Sequence, residues 1–384
     1  MKKKSWLQHL KWLPNKPALV GDLMARIVLD KIVHSYDRNP DETSEYALKW
    51  INSIFENEGA YALLGPSGCG KTTLLNLISG LLTPSKGRVL YDDMDVTALP
   101  PEKRNIAQVF QFPVLYDTMT VYDNLAFPLR NRGVPASQVQ TRVHEIAEIL
   151  DLTAFLNKKA AGLTADAKQK VSLGRGLVRN DVAAILFDEP LTVIDPQLKW
   201  YLRQKIKLIH EELKLTLIYV THDQVEALTF AEKVAVMHEG EIVQTGTPKE
   251  LFENPEHTFV GYFIGSPGMN FLPCTVDGSV AHVNGTDIPL DKELADLGRK
   301  ARGKLELGIR PMYLQLRSES AKGGVLVKVQ AVEDLGSYKI VTVMLAGRPI
   351  RVKLEEGLPV PSHKARLLIP PQWIRLFADG LRVR

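Results

Sequence analysis

The chain of 384 residues has little cysteine, little net charge and no long apolar run. Its two cysteines, Cys69 and Cys274, are too few for a disulfide framework, which favours a protein of a reducing compartment. No apolar run approaches the ~18 residues that a transmembrane helix requires, so the sequence predicts no membrane span. The formal net charge is only +4, which gives no support to a bulk nucleic-acid binder.

The excess of positive charge lies in residues 1–23, which contain five lysines and one aspartate. This basic start is typical of a signal peptide, but Gln8, His9 and Lys11 interrupt the apolar core that such a peptide needs. Two interpretations stay open. The segment either lies on an anionic membrane surface, or it is an extension that is disordered or not translated, with Met24 as the true start.

Alternating strand and helix patterns up to residue 250 predict a parallel sheet sandwiched by helices. Strand-like segments cover 27–36 and 59–64, with a polar insert between them. The apolar run 182–187 has the composition of a buried parallel strand. Apolar residues recur at helical spacing in 137–157. We therefore expect an α/β domain.

The pattern changes after a stretch at 265–273 that is rich in glycine and proline. Short alternating runs follow, and Asn284-Gly285 is a hairpin signal. Together they predict an all-β second domain, a small barrel of the OB type. The runs expected to form strands are 304–309, 325–331, 339–345 and 350–354.

The strongest local signal is a glycine-rich loop between a predicted strand and a predicted helix. Glycines let backbone N–H groups and the helix N-terminus point at phosphate oxygens. In such a loop the lysine neutralises the β- and γ-phosphates, and the next hydroxyl binds Mg²⁺. The sequence therefore predicts a nucleotide-phosphate site. Its residues are Gly65, Pro66, Ser67, Gly68, Cys69, Gly70, Lys71 and Thr72, followed by Thr73.

An acidic pair, Asp188 and Glu189, directly follows the apolar run 182–187. In a fold with a phosphate loop, an aspartate that ends a neighbouring buried strand reaches the Mg²⁺ ion. This predicts a metal-binding role for Asp188. Glu189 is then placed to polarise an attacking water molecule, so the pair predicts hydrolysis of the nucleotide.

Many nucleotide-hydrolysing proteins have the two motifs above, and three further segments indicate which family this chain resembles. They are Gln111 in AQVFQFP, LTVID after the acidic pair, and VTHD after an apolar strand at 215–220. With the motifs above, the chain resembles the ATP-binding subunits of ABC importers. The resemblance is to the branch that energises uptake of sugars and polyols and has a C-terminal β domain. It covers residues 24–384 and implies ATP and Mg²⁺ as cofactors.

The resemblance assigns roles to matching positions of this sequence. Tyr36 matches the aromatic residue that stacks on adenine, and Gln111 matches the residue that contacts Mg²⁺ and the attacking water. Glu189 matches the catalytic base and His222 the switch that holds the γ-phosphate. Asp195 matches a contact across the interface between two ATPase subunits.

The resemblance also implies partners and a location. We expect two transmembrane permease subunits, a second ATPase subunit and, indirectly, an external solute-binding protein, at the cytoplasmic face of the inner membrane. The likeness, including the stretch 262–270, points to uptake of glycerol or glycerol-3-phosphate. The expected domains are an ATP-binding domain at 24–262, with a helical subdomain at about 112–180, and a dimerisation or regulatory β domain at 263–384.

One motif departs from the family pattern. Where the family has Leu-Ser-Gly-Gly-Gln, this chain has Leu163, Thr164, Ala165, Asp166 and Ala167. Both glycines are replaced, so side chains stand where backbone N–H groups approach a phosphate. Asp166 is negative at a helix end that attracts anions, and we expect it to cap its own helix. The motif predicts pairing with a different ATPase subunit, with a homodimer as the alternative.

Other interpretations stay open at this level. The altered motif is also compatible with a largely non-hydrolytic regulatory or structural subunit of such a complex. A third class, an ABC protein that acts on DNA or translation, is disfavoured by the single cassette, the neutral body and the C-terminal β domain. In that domain the run GIRP resembles a recurrent family element, and Met312 stands where the family usually has Glu. A regulatory and a passive role of the domain are both open.

Overall fold

The computed structural model describes residues 25–37, 45–179, 181–361 and 363–384. The interpretations of residues 1–23 lie outside this described part. No helix in the described part is long and apolar enough to span a membrane.

The part of the chain up to residue 263 mixes strands and helices. Its strands are β1 (Ile27–His34), β2 (Leu48–Phe55), β3 (Ala60–Leu64), β4 (Lys86–Tyr91), β5 (Met94–Asp95), β6 (Ala107–Val109), β7 (Ile185–Asp188), β8 (Leu217–Thr221), β9 (Lys233–His238) and β10 (Glu241–Gly246). Its helices are α1 (Lys71–Ser79), α2 (Val121–Arg130), α3 (Ala136–Ile149), α4 (Ala165–Leu177), α5 (Pro196–Leu213), α6 (Gln224–Phe230), α7 (Pro248–Glu253) and α8 (Thr258–Phe263).

A six-stranded sheet of order β10-β9-β3-β8-β7-β6 forms the centre of this domain. All neighbours from β9 to β6 pair in parallel, and β10 adds an antiparallel edge. Every residue of β3, β7 and β8 is buried, as expected for strands that are covered on both faces. The predicted buried parallel strand at 182–187 is confirmed by β7, which begins three residues later and ends one residue later than predicted.

The two faces of this sheet are covered differently, which corrects the prediction of helices on both sides. One face packs against the helices α2 to α8. The other face packs against α1 and an antiparallel sheet of order β2-β1-β4-β5.

Strand β2 was missed because its apolar residues do not alternate. Only Leu48, Ile51 and Phe55 of its eight residues are buried. Trp50 has a φ of +47°, and the pairing with β1 shifts register nearby. A bulge of this kind breaks the two-residue period on which strand prediction depends.

The chain from residue 270 forms three small antiparallel sheets around one core. The predicted hairpin at Asn284-Gly285 and the predicted strands are confirmed. The domain also contains one helix, which the all-β prediction lacked. The elements are β11 (Asn270–Pro273), β12 (Thr275–Asp277), β13 (Val280–Val283), β14 (Thr286–Pro289), α9 (Lys292–Lys300), β15 (Leu305–Ile309), β16 (Gln315–Ser318), β17 (Val325–Asp334), β18 (Tyr338–Leu345), β19 (Arg348–Glu355), β20 (Lys364–Leu368), β21 (Arg375–Ala378) and β22 (Leu381–Arg382).

The buried side chain of Arg310 joins the two parts of the chain. Its Nε donates to the carbonyl oxygen of Phe252 at 3.0 Å, and Nη1 donates to those of Gly261, at 2.9 Å, and Ile264. Its Nη2 donates to the carbonyl oxygen of Leu251 at 3.5 Å. These acceptors belong to the last turns of α7 and α8, whose carbonyls have no partner within a helix. One residue of the β domain therefore completes two helices of the ATP-binding domain.

We expect Arg310→Lys to lower the free energy of unfolding by about 3 kcal/mol, because one ammonium group cannot serve four carbonyl oxygens and each buried acceptor without a donor costs about 1–3 kcal/mol. Urea denaturation followed by circular dichroism measures the change. The matched control, Arg317→Lys, alters an exposed arginine and should shift stability by less than about 0.5 kcal/mol. Equal stability losses in the two variants would contradict the role of Arg310.

Candidate functional site

The glycine-rich loop lies between β3 and α1, and two of its positions admit only glycine. A Cβ at Gly65 would lie 2.3 Å from the carbonyl oxygen of Met237, the last buried residue of β9. A Cβ at Gly70 would lie 2.7 Å from the carbonyl oxygen of Ala47, and the φ of Gly70 is +97°. The close packing of backbone against backbone fixes the path of the loop.

Lys71, the first residue of α1, places its ammonium group inside this loop. The side chain is buried, and Nζ donates to the carbonyl oxygens of Gly65 at 2.9 Å and Pro66 at 2.8 Å. The carbonyl oxygens hold a positive charge beside the backbone N–H groups at the helix start. This arrangement attracts anions such as phosphate.

Cys69 lies in the same loop with its thiol buried, 3.8 Å from the ammonium nitrogen of Lys71. Burial raises the pKa of the thiol, and the nearby positive charge of Lys71 opposes this only in part. The thiol is therefore protonated at neutral pH and reacts slowly.

Thr72 and Asp188 connect the loop to β7. The Thr72 hydroxyl donates to Asp188 Oδ1 at 3.0 Å. Burial raises the pKa of Asp188, and the hydrogen bond from Thr72 opposes the shift. Two hard oxygen atoms at this distance fit Mg²⁺, which takes few protein ligands and completes its shell with phosphate and water. The described residues contain no cluster of three or more His, Cys, Asp or Glu that could hold a metal ion.

Glu189 and His222, which are far apart in sequence, meet beside this pair. Glu189 Oε1 lies 3.0 Å from His222 Nδ1, and the Thr192 hydroxyl donates to Glu189 Oε2 at 3.2 Å. Glu189 has a φ of +46°, which is unusual for a residue other than glycine and turns it out of the line of β7. The contact arises because β7 and β8 are parallel neighbours that end at the same edge.

Tyr36 and Gln111 are the two other residues that the resemblance assigns to the site of one chain. Tyr36 is 67% exposed, and its hydroxyl lies 2.9 Å from Thr73 Oγ1, on α1. The ring therefore stands next to the loop with a face open to solvent. Gln111 follows β6, which pairs with β7 up to Val109↔Phe187. This register puts Gln111 at the sheet edge that carries Asp188.

The segment Leu163 to Ala167 leads into α4, but its cap differs from the prediction. The helix is capped by Thr164, whose hydroxyl accepts a hydrogen bond from the Ala167 N–H at 3.4 Å. Asp166 lies in the first turn, where Thr164 already occupies the capping position. Its Oδ1 is buried and has no hydrogen-bond partner among the described residues. Asp195 does act as a cap, of α5, where Oδ1 accepts from the Gln197 N–H at 2.9 Å.

Two supporting residues were not predicted from the sequence. Gln169 is buried on α4 and donates to the carbonyl oxygen of Pro190 at 2.7 Å, just after Glu189. Glu226 is buried on α6 and accepts from the Thr221 hydroxyl at 2.8 Å, just before His222. No sequence signal marks Gln169, which lies between Lys168 and Lys170. Glu226 stands among apolar residues of α6, but this pattern does not identify its partner.

Comparison with known proteins identifies the family. Residues 48–192 match the ABC transporter family model, and residues 265–311 match the model of the MalK OB fold domain. The sn-glycerol-3-phosphate import ATP-binding protein UgpC of Yersinia pestis is 38% identical over 94% of this chain and 99% of its own length. The chain belongs to the ABC transporter ATP-binding proteins with a MalK-type OB domain. It is an ATP-binding protein and an ATPase, so the predicted fold class and enzyme class are confirmed.

Further relatives agree with this family. The sulfoquinovosyl glycerol transport ATP-binding protein SmoE of Agrobacterium fabrum is 38% identical over 92% of this chain and 98% of its own. The trehalose/maltose import ATP-binding protein MalK of Thermococcus litoralis is 44% identical over 74% and 80%.

Solved structures match the ATP-binding domain. A dimeric cassette in a post-hydrolysis state, bound to ADP and phosphate, has a TM-score of 0.52 and 28% identity and covers 58% of this chain and 98% of its own. The protein cbiO1 from Clostridium perfringens has a TM-score of 0.54 and 26% identity, with 60% and 92% covered.

The buried Cys69 thiol gives a testable prediction. Iodoacetamide should modify Cys69 slowly at pH 7.5 and faster as the pH rises toward its raised pKa, because the thiolate is the reactive form. Bound ATP should slow the reaction, and modified chain should lose ATP binding, since the added group fills the loop. Peptide mass spectrometry measures the rate at Cys69, and Cys274 in the same digest is the internal control. Fast labelling of Cys69 that ATP leaves unchanged would show that the thiol lies outside the nucleotide site.

Proposed function

We propose that this ATPase energises an importer for a small polyol or sugar, with glycerol or sn-glycerol-3-phosphate as the favoured solute. The observation that carries the proposal is the 38% identity to UgpC along both domains, over 99% of that protein. The names of SmoE and MalK extend the class to a glycerol glycoside and to disaccharides. The solute itself is bound by the membrane and external subunits, and this chain supplies the ATP-driven movement.

The geometry supports a role for each polar group of the site. Lys71 binds the β- and γ-phosphates, since its ammonium group is fixed inside the loop. Thr72 and Asp188 would hold Mg²⁺, which would neutralise charge at the phosphates. Glu189 orients and deprotonates the attacking water, and His222 holds the γ-phosphate; their 3.0 Å contact supports joint action.

The remaining site residues act at its borders. The open face of Tyr36 stacks on adenine. Gln111, two residues after the end of β6, would contact Mg²⁺ and the attacking water and would link the site to the membrane subunits. Asp195 contacts the opposite ATPase subunit.

A docking surface for the permease subunits is supported by apolar side chains that follow Gln111. Phe112, Val114 and Tyr116 are 70%, 55% and 43% exposed. Arg175 lies over the Tyr116 ring, 5.0 Å from its centroid. An apolar patch of this kind is typical of a protein interface. Its occupation by a permease places the chain at the membrane as a peripheral subunit.

We expect Glu189→Gln to abolish turnover while leaving ATP binding intact. Removal of a general base lowers hydrolysis by about 10²–10⁴-fold. The measurements are ATP hydrolysis by the assembled transporter and uptake of labelled sn-glycerol-3-phosphate by cells whose only copy carries the variant. The control is Glu319→Gln, since Glu319 has a 59% exposed side chain and lies in the β domain. Hydrolysis at the normal rate would contradict the role of Glu189, and unchanged uptake in cells that lack the chain would contradict the solute.

We further infer that the chain pairs with a different ATPase subunit, one that has an intact Leu-Ser-Gly-Gly-Gln motif. In this chain Asp166 stands at the start of α4 with a buried carboxylate oxygen that lacks a partner. A second negative charge 4 Å away would be repelled by on the order of 4 kcal/mol at an effective dielectric of 20. A γ-phosphate is such a charge, so two copies of this chain close poorly on ATP.

The pairing is tested by light scattering of the full Glu189→Gln chain with and without Mg-ATP. We expect a monomer in both conditions. A repaired chain that also carries Thr164→Ser, Ala165→Gly, Asp166→Gly and Ala167→Gln should dimerise with ATP, because backbone N–H groups then reach the γ-phosphate. The control Asp166→Asn removes the charge and keeps the side chain. An ATP-driven dimer of the unrepaired chain would overturn the proposal in favour of a homodimer.

A further inference from the structure

A cavity of about 260 Å³ lies where the ATP-binding domain meets the β domain. One wall comes from α7, another from the linker after α8, and the rest from the β domain. Among the described residues that line it, none is acidic and two are basic. The lining residues are Phe252, Ser266, Pro267, Arg310, Pro311, Met312 and Lys353.

The guanidinium of Arg310 in this wall has no carboxylate partner in the described part of the chain. All of its hydrogen bonds go to carbonyl oxygens. An arginine carries five N–H donors, and these four bonds leave one on Nη2. Burial lowers the pKa of Arg310 to about 10, so the group is charged at neutral pH. A buried charge that lacks an opposite charge is costly, and an anion offsets that cost.

Lys353 is the second positive charge in the wall. It lies on β19 with Nζ over the ring of Tyr338, 3.8 Å from the centroid. Its cross-strand partner on β18 is Ile340. Lys339, one residue before Ile340, is paired with Asp334 at 3.6 Å and Glu356 at 3.3 Å. No ion pair among the described residues includes Lys353, so this lining residue adds a positive charge to the cavity wall without a carboxylate partner.

We propose that this junction cavity binds a small oxyanion, a phosphate or carboxylate group. Lys353 contacts the anion directly, Ser266 offers a hydroxyl, and Arg310 supplies a fixed positive field and its one remaining N–H. Charge-assisted contacts of ammonium and guanidinium groups with oxyanions are about twice as strong as neutral hydrogen bonds, and the half-enclosed position limits screening by solvent.

The position of the cavity points to regulation of the ATPase. The Gly265 N–H, in the linker beside the cavity, donates to Gln224 Oε1 at 3.0 Å. Gln224 begins α6, two residues after His222. A Cβ at Gly265 would lie 3.0 Å from Nη1 of Arg310, so the linker packs closely between Arg310 and Gln224. An anion in the cavity therefore contacts the segment that holds the helix after His222. This regulatory interpretation rests on the proposed role of His222; the binding site does not.

The test is calorimetric titration of the full chain at constant ionic strength with sodium phosphate, sodium acetate and, as a neutral compound, glycerol. All chains carry Lys71→Ala, so that the phosphate loop does not contribute. We expect one oxyanion per chain, and the tighter of the two salts identifies the class. Neither ATP hydrolysis nor transport enters the readout, so failure here is distinct from failure of the proposed function.

Two variants that lower the positive charge of the cavity in different ways, and one control, make the result specific. Lys353→Gln removes the direct contact, and Met312→Glu places a competing carboxylate at the cavity rim; each should weaken binding at least tenfold. Lys328→Gln changes an exposed lysine on β17 and should leave binding unchanged. Absence of saturable binding, equal binding of glycerol, or unchanged affinity in both cavity variants would overturn the proposal.

Discussion

The site depends on one constraint: three parallel strands buried on both faces end together at one edge. Because no face of β3, β7 or β8 is solvated, each strand must keep its register to bury its apolar side chains. The pairs Leu64↔Thr221 and Asp188↔Val220 follow from that register. They bring the phosphate loop, the acidic pair and His222 to one place. Polar residues that would be costly inside the sheet are thus concentrated just beyond it, where a nucleotide can pair with them.

The β domain is joined to the ATP-binding domain by hydrogen bonds of Arg310 as well as by the linker. Arg310 completes the carbonyl ends of α7 and α8, and the linker between them and the β domain contacts Gln224. The same arginine brings to the junction a positive charge that has no carboxylate partner among the described residues. A single residue thus stabilises the domain interface and gives the adjoining cavity its preference for anions.

The segment Leu163 to Ala167 departs from the family pattern and still leads into a regular helix. Within one chain α4 is well formed, with a threonine cap and a buried Gln169 that ties it to the acidic loop. The carboxylate oxygen Oδ1 of Asp166 is buried and has no hydrogen-bond partner among the described residues. In the pairing that we propose, this negative charge would repel the γ-phosphate of a nucleotide held by a second subunit.

The sequence by itself determined the phosphate loop, the acidic pair at 188–189 and the hairpin at Asn284-Gly285, because each is set by neighbouring residues and local backbone geometry. Tertiary structure alone decided the antiparallel sheet on one face, since the bulge at Trp50 hides β2 from any periodic pattern. It also decided the roles of Arg310 and Glu226. Their hydrogen-bond partners lie on other elements. A polar residue in a buried segment indicates that a partner is needed, but the sequence does not show which residue that partner is.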